Sequence, residues 1–162
     1  ITLDADALTL ILNNLTKLNE RSAATILTPH LGEFSRISKL SIEEIKSDRI
    51  GVASAFAKEY GVTLVLKDSI TVIADPISGT AILSKPCSAL AKGGSGDILA
   101  GLISSFSAQG LPAFDSAVLG VFIHNLSGRL AAEQYSDFCL LPDDIIKYIP
   151  KAFNKIICER KA

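Results

Sequence analysis

Residues 90–102, "LAKGGSGDILAGL", place three glycines within four positions directly before Asp97 and an apolar run. Glycine loses more conformational entropy on folding than any other residue, so such a cluster needs a geometric reason. The N-terminus of a helix has unsatisfied N–H groups and a partial positive charge, and glycines ahead of it let the backbone approach a phosphate closely. The candidate anion-binding residues are Gly93, Gly94, Ser95 and Gly96.

Asp97 follows this glycine loop in the predicted first turn of a helix. Beside a bound phosphate it is placed to take the proton of a hydroxyl that attacks phosphorus, which makes it the candidate catalytic residue. The alternative is a tight turn into a buried helix, in which Asp97 only complements the helix dipole. The segment is neither a P-loop, because GxxxxGK[ST] is absent, nor a dinucleotide-binding fingerprint, because Leu99 occupies the third glycine position.

Other polar side chains follow apolar segments that predict buried strands. His30 comes after "ATILTP", and Lys67 ends "VTLVLK", where it can offer a point charge to a phosphate. Ligands gather at the carboxyl edge of open α/β sheets, although a capping or surface histidine and a solvated lysine are the alternatives. Asp4 and Asp6 follow the first strand, where a helix cap is as good an interpretation as a site role. His124 lies in an apolar helix and is interpreted as a core histidine.

Short apolar segments that predict strands are "ITLD", "ATILTP", "VTLVLK", "SITVIADP" and "TAILS", with a turn over residues 76–79 between the last two. Helical periodicity is found in the segments between and after them. Continuously apolar strands that alternate with helices indicate a parallel or mixed sheet that is covered on both faces. The sequence therefore predicts an α/β fold.

Helices are predicted over "ALTLILNNLTKLNE", "SIEEIKSDRIGVASAFAKEYG", "DILAGLISSFSAQG", "FDSAVLGVFIHNLSGRLAAEQY" and "PDDIIKYIPKAFNKIICERK". In the second, Ser41 and Glu44 have the spacing of a capping box and Gly61 closes the helix. The last helix is expected to be interrupted or kinked at Pro150. No repeat, low-complexity tract or linker is found, so residues 1–162 are predicted to form a single domain.

The composition bears on the class of protein. The 16 basic and 17 acidic residues nearly cancel and form no block, which argues against binding to nucleic acid or a membrane surface. No run of about 18 apolar residues predicts a membrane span. Three scattered cysteines without a CxxC pair fit a reducing compartment, so a cytoplasmic location is expected. Because the chain lacks methionine and begins within a predicted strand, we expect it to be part of a longer protein.

Five segments, in this order and spacing, give a resemblance that none of them gives alone. Together they resemble the ADP- or ATP-dependent NAD(P)H-hydrate dehydratases, a metabolite-repair branch of the ribokinase-like superfamily. The resemblance extends from Ile1 to about Ala132. The segments are "LDADAL" (3–8), "TPHLGEF" (28–34), "TLVLK" (63–67), "GGSGDILAG" (93–101) and "GVFIHNLSG" (120–128).

The resemblance implies a three-layer α/β/α sandwich with a mainly parallel central sheet, incomplete at its N-terminus, in the C-terminal portion of a longer chain. It implies that the protein repairs hydrated NADH or NADPH. The added hydroxyl of the nicotinamide ring is phosphorylated by ADP or ATP, and loss of phosphate regenerates the double bond. The resemblance also implies Mg²⁺, a homo-oligomer, and fusion to or pairing with an NAD(P)H-hydrate epimerase domain.

Roles for individual residues follow from the same resemblance. His30 and Asp97 line the site of the hydrated nicotinamide, and Glu33 lies near the metal and phosphates, with an ordinary first-turn helix carboxylate as its alternative. Gly96 contacts the adenine nucleotide together with the segment that ends the third strand. That segment consists of Lys67, Asp68, Ser69, Ile70 and Thr71.

Two positions depart from the pattern of the family. Asp68 stands where a glycine is usual, and its carboxylate would repel a phosphate unless it points away. Lys92 replaces a small residue or threonine and is expected to add positive charge at the anion site. Two other functions therefore stay open at this point. One is a ribokinase-like kinase for a small hydroxylated substrate such as a vitamin precursor, and the other is a non-catalytic nucleotide-binding module.

Overall fold

A computed structural model describes residues 1–159 and contains one five-stranded sheet in the order β1-β2-β3-β4-β5. The first three strands are parallel, and β4 and β5 add antiparallel pairs at one side. The sheet is therefore mixed, and the predicted α/β class is confirmed. The strands are β1 Thr2–Leu3, β2 Ile26–Leu27, β3 Thr63–Leu66, β4 Thr71–Asp75 and β5 Gly79–Leu83.

The predicted turn between the last two strands is confirmed. Gly79 has a φ of +92°, which residues with a side chain rarely adopt. The Asp75 carboxylate accepts hydrogen bonds from the backbone N–H groups of Ile77 and Ser78, at 3.0 and 2.8 Å. These bonds close the turn and fix the register of β4 against β5.

Helices make up most of the remaining chain. Two short 3₁₀ segments, Leu12–Glu20 and Ser88–Leu90, supplement them. The α-helices are α1 Asp6–Leu10, α2 Leu31–Ser38, α3 Ile42–Ser47, α4 Arg49–Tyr60, α5 Ser95–Ala108, α6 Ala113–Cys139 and α7 Pro142–Glu159.

Two predicted helices are broken by residues that favour caps and turns. The first becomes α1 and a 3₁₀ segment with a non-helical break at Asn14. The second begins with the predicted capping box at Ser41, but divides at Asp48, whose side chain accepts a hydrogen bond from Gly51 N at 2.9 Å and caps α4. Asp side chains compete for backbone hydrogen bonds, which explains the break at Asp48. Gly61, with a φ of +61°, ends α4 as predicted.

The last two helices also differ from the prediction. Pro150 lies inside α7, which is one helix from Pro142 to Glu159, so the helix is not interrupted there, and a kink at Pro150 stays a prediction. The end of that predicted segment, residues 160 and 161, lies outside the described residues. Helix α6 extends to Cys139 and contains a non-helical residue, Ser136, near its end. No helix in residues 1–159 has the length and apolar character needed to cross a membrane.

Two apolar clusters cover the two faces of the sheet. Leu64 and Leu66 of β3 join a cluster with residues of α2, α3 and α4, whereas Val65 joins a cluster with α5 and α6. This alternation follows from the two-residue period of a strand. The fold is thus a three-layer α/β/α sandwich.

Helices α5 and α6 approach closely at Gly120. A Cβ at this position would lie 2.5 Å from Ile103 Cγ1, and 3.2 and 3.3 Å from the backbone N and Cα of Ile103. The absence of a side chain therefore sets how closely α6 can pack on the helix that begins at the glycine loop.

We expect Gly120→Ala to lower the free energy of unfolding by about 1–3 kcal/mol, because the added methyl group meets backbone atoms that cannot move independently. Gly101→Ala on α5 is the matched control, since a Cβ there meets nothing within 4 Å. Removing a glycine from an open helical position should stabilise the protein by roughly 0.5–1 kcal/mol. Urea unfolding compares the two variants, and equal stabilities would contradict the close-packing argument.

Candidate functional site

The parallel strands bring three predicted side chains to one edge of the sheet. Asp4 follows β1, His30 follows β2, and Lys67 follows β3. His30 and Lys67 form an isolated parallel bridge, and Lys67 N donates to Pro29 O at 2.8 Å. This carboxyl edge is where open α/β sheets bind ligands.

Asp4 and Lys67 form a partly buried ion pair. The distance between Lys67 Nζ and Asp4 Oδ1 is 2.8 Å, and the side chains are 21% and 15% exposed. Ala5 next to it has a φ of +48°, a strained conformation for a residue with a Cβ. Within the described residues the Asp4 side chain thus pairs with Lys67 and does not cap α1, and a site role for Asp4 stays a prediction.

The glycine loop reaches the same edge. A Cβ on Gly96 would lie 3.5 Å from Asp4 Oδ2 and 3.6 Å from Lys67 Nζ. Gly94, at the N-cap of α5, has a φ of +87°, which explains one of the three glycines. Within residues 1–159, no side chain caps this end of α5. Ser95 N donates to Lys92 O at 3.3 Å, and the next N–H groups, those of Gly96 and Asp97, keep their capacity to bind an anion.

The two residues around Gly96 face different environments. Asp97 lies in the first turn of α5 and is exposed, whereas Ser95 is buried. Ser95 Oγ lies 3.0 Å from His124 Nε2, and this contact is itself buried. Burial lowers the pKa of His124 to about 4, and the charge of Lys67 acts in the same direction. The predicted core histidine is confirmed, but its partner belongs to the glycine loop.

His30 and Glu33 form a capping box at the start of α2. His30 Nδ1 accepts hydrogen bonds from Gly32 N and Glu33 N at 3.0 and 3.2 Å, and Glu33 Oε2 accepts one from His30 N at 2.8 Å. The capping alternative for His30 is therefore realised. Its side chain is still 56% exposed at the edge of the site, so capping leaves it accessible to a ligand.

Glu33 is buried, and both of its carboxylate oxygens are engaged with His30. Oε2 accepts the backbone bond, and Oε1 lies 3.4 Å from His30 Nε2. The first-turn helix carboxylate, which is the alternative interpretation of Glu33, is therefore realised. Its location near the metal and phosphates stays a prediction.

Asp68 is directed towards helix α4. Its Oδ2 lies 2.7 Å from a guanidinium nitrogen of Arg49. A cation thus balances the carboxylate that replaces the usual glycine, which weakens the repulsion expected between Asp68 and a phosphate. Ser69 and Ile70 are exposed in the loop that follows, and Thr71 begins β4.

Lys92 does not carry its charge to the anion site. Its Nζ donates to Phe138 O and Leu140 O, both at 2.8 Å, at the end of α6. The expectation of added positive charge beside the glycine loop is wrong. Carbonyl groups at a helix C-terminus attract cations, which explains where the side chain lies.

The comparison with protein families identifies the family. The sequence pattern of the NAD(P)H-hydrate dehydratases matches residues 1–151. The chain belongs to this family. The resemblance drawn from the five motifs is therefore confirmed, and the match to the family covers nearly the whole chain.

Individual relatives of the family agree with this result. A bifunctional NAD(P)H-hydrate repair enzyme of Thermofilum pendens is 35% identical over 96% of this chain and 30% of its own length. An ADP-dependent (S)-NAD(P)H-hydrate dehydratase of Neisseria meningitidis is 32% identical over 82% of the chain and 46% of its own length. The chain thus spans less than half the length of these relatives.

Solved structures of similar proteins confirm the ribokinase-like fold. A Bacillus subtilis ADP/ATP-dependent NAD(P)H-hydrate dehydratase, co-crystallised with ATP and Mg²⁺, has a TM-score of 0.81 and 28% identity over 95% of this chain and 54% of its own. A ribokinase-like superfamily protein of Enterococcus faecalis has a TM-score of 0.78 and 29% identity over 95% of this chain and 52% of its own.

We expect the buried His124 to make folding stability depend on pH. Its folded-state pKa of about 4 lies below the ordinary value of 6.5, so the unfolded state binds more protons between these values. Stability that is complete above about pH 6.5 is then lost as the pH falls towards 4. Urea unfolding between pH 7 and pH 4.5 should show this decrease in the wild type and a smaller one in His124→Gln.

Parallel stability curves for the two proteins would contradict this prediction. Three carboxyl groups with lowered pKa values also stabilise the folded state, and this stabilisation is lost only at the acid end of the pH window and below it. They are common to both proteins: Glu44, Asp75 and Asp144. Lys67, whose charge lies near the imidazole, is also common to both.

Proposed function

We propose that this chain is the nucleotide-binding and catalytic part of an ADP- or ATP-dependent NAD(P)H-hydrate dehydratase. One observation carries the proposal: Lys67 and the uncapped N-terminus of α5 meet at Gly96, with Asp97 exposed in the adjoining turn. An ammonium group and a helix N-terminus on one side suit a phosphate chain, and a carboxylate beside them suits a hydroxyl acceptor.

The nucleotide phosphates are proposed to bind between Lys67 and the glycine loop. Gly96 leaves free the space that a side chain would occupy, in van der Waals reach of Lys67 Nζ. The Asp4 carboxylate holds that ammonium group in place, and a phosphate oxygen would share it. Ser69, Ile70 and Thr71 continue along the same edge and are proposed to contact the rest of the nucleotide.

Asp97 is proposed to accept the proton of the ring hydroxyl as the hydroxyl oxygen attacks the terminal phosphorus, whose bond to the leaving AMP (from ADP) or ADP (from ATP) breaks. The helix N-terminus stabilises the ionised carboxylate, which makes Asp97 a weak base. A weak base suffices, because the loose transition state of phosphoryl transfer asks chiefly for positioning and charge stabilisation. Loss of phosphate from the ring carbon, together with a proton from the neighbouring carbon, then restores the double bond of the nicotinamide.

His30 is proposed to line the site of the hydrated nicotinamide together with Asp97. Its exposed imidazole lies on the strand end next to Lys67, so a substrate held there would be close to the transferred phosphate. Its bonds with Glu33 and the first N–H groups of α2 fix the ring, which supports a positioning role.

Magnesium is proposed to arrive with the nucleotide. In the part of the chain that the structure describes, no three His, Cys, Asp or Glu side chains form a cluster that could hold a metal ion. Mg²⁺ typically keeps several waters and binds through one or two carboxylates together with substrate phosphates, so no protein cage is required. Asp97 has an exposed carboxylate close to the proposed phosphate site. A Mg²⁺ ion bound with the nucleotide would screen the negative charge of the phosphates at this position.

The wider setting is proposed from the relatives. Several of them are bifunctional repair enzymes, of which this chain spans about 30%. We propose one ribokinase-like domain at the C-terminal side of a longer cytoplasmic protein, fused to or paired with an epimerase domain, and a homo-oligomer.

The reaction itself is tested by incubating the full-length protein with hydrated NADH or NADPH and either ADP or ATP. Return of absorbance in the reduced nicotinamide band, dependent on nucleotide, supports the proposal. Nucleotide consumption with a vitamin precursor but not with hydrated NADH would favour another kinase of the superfamily. Nucleotide binding without turnover of either substrate would favour a non-catalytic module.

We expect Lys67→Ala to weaken nucleotide binding about tenfold or more, because hydrogen bonds to charged groups are worth about 1.5–3 kcal/mol. Asp68→Gly is the matched control on the adjacent residue. It removes a carboxylate that pairs with Arg49, so nucleotide affinity should stay the same or rise. Titration calorimetry with ADP and ATP measures both variants. Equal affinities for the wild type and Lys67→Ala would remove Lys67 from the site.

We expect Asp97→Asn to lower turnover about 10²–10⁴-fold, the usual contribution of general-base assistance, while the fold and most of the nucleotide affinity persist. Gly96→Ala should instead reduce nucleotide affinity, because its methyl group fits the free protein at ordinary contact distances but occupies phosphate space. Steady-state kinetics with hydrated NADH separates the two effects. Near wild-type turnover in Asp97→Asn would contradict the catalytic role and would mean that the glycine loop is only a tight turn before α5.

A further inference from the structure

A side chain of helix α6 contacts the glycine loop at the start of α5. Within the described residues, α5 has no side-chain cap of its own, and its first residue, Ser95, is 3% exposed. The hydroxyl of Ser95 lies 3.0 Å from Nε2 of His124 in α6. This buried contact ties the start of α5 to α6, its neighbour on the same face of the sheet.

The position of His124 is itself fixed by close contacts on both sides. Gly120, one turn before it, meets Ile103 of α5, and Gly128, one turn after it, meets Leu90. Residues four apart lie on the same face of a helix, so this face of α6 carries His124 towards the glycine loop. At Gly120 a Cβ would lie 2.5 Å from Ile103 Cγ1 and 3.2 Å from its backbone N, so glycine is needed for the approach. At Gly128 a Cβ would lie 2.4 Å from Leu90 Cδ2, which belongs to a side chain that can move.

The chemistry of the pair suits a fixed structural bond. A neutral imidazole has one donor and one acceptor nitrogen, and a serine hydroxyl can serve either. Leaving one partner of a buried polar pair unsatisfied costs more than the bond itself gains. Lys67, whose charge lies near this imidazole, disfavours a second positive charge there. The site thus keeps Lys67 as its cation and His124 as an uncharged support.

We propose that His124 is a positioning residue for nucleotide binding, acting through Ser95 to orient the N–H groups of Gly96 and Asp97 towards the phosphates. This inference rests on the proposed function. It assigns to "GVFIHNLSG" a role at the anion site, although His124 contacts neither nucleotide nor substrate.

A double-mutant cycle in the full-length protein tests the inference, with the KM of ADP and ATP as the readout. Ser95→Ala and His124→Leu should each raise the nucleotide KM about five- to tenfold, as expected for loss of one buried hydrogen bond. The double variant should be no worse than the poorer single variant. His124→Gln, whose amide can bond to Ser95, should recover most of the affinity, and kcat should change less than KM.

Ser116→Ala is the matched control, since Ser116 is a buried serine of α6 whose Oγ donates to Leu111 O, away from the loop. Its nucleotide KM should equal that of the wild type, even where its melting temperature falls. Additive effects of the two single variants, or an unchanged KM in Ser95→Ala, would overturn the inference. If His124→Leu does not fold, the nucleotide KM of Ser95→Ala is the deciding measurement: a raised KM supports the inference and an unchanged KM overturns it. If the wild type neither binds nucleotide nor repairs hydrated NADH, the proposed function fails and this inference fails with it.

Discussion

The parallel register of β1, β2 and β3 is the constraint on which the site depends. Ile26 pairs with Thr2 on one side and Thr63 on the other, so the residues that follow the three strands emerge at one level. A slip of one residue would exchange the two faces of a strand and carry Lys67 away from Asp4. The register is held because both faces of β3 are buried in separate apolar clusters.

Charge at this edge is arranged so that one cation faces the glycine loop. Asp4 forms an ion pair with Lys67 at this edge, and Arg49 forms one with Asp68. Lys92 donates instead to a carbonyl at the end of α6. A partly buried ion pair contributes little net stability, because desolvation offsets much of the attraction. The pair therefore acts mainly by positioning Lys67, because it holds the ammonium group next to Gly96 and keeps it from extending into solvent.

The backbone geometry of the glycine loop depends on how closely α6 packs against α5. Gly120 lets α6 approach Ile103, and this approach brings His124 within hydrogen-bond distance of Ser95. An exposed loop with several glycines would be mobile on its own, since glycine has the widest conformational freedom. Burial of one polar bond beneath it limits that freedom and leaves the outer N–H groups free for a ligand.

The amino-acid sequence by itself determined the α/β class, the strands, the caps at Ser41 and Gly61, the glycine loop and the family, because each of these rests on local spacing or local chemistry. It also gave Lys67 and His30 as site candidates from their places at strand ends. Tertiary structure decided how distant residues meet: Asp4 with Lys67, Asp68 with Arg49, and Lys92 with the end of α6. These pairs join positions far apart in the chain, and no local pattern encodes which partner a charged side chain finds. The bond between His124 and Ser95 is of the same kind, since it exists only because two helices pack closely enough to bury it.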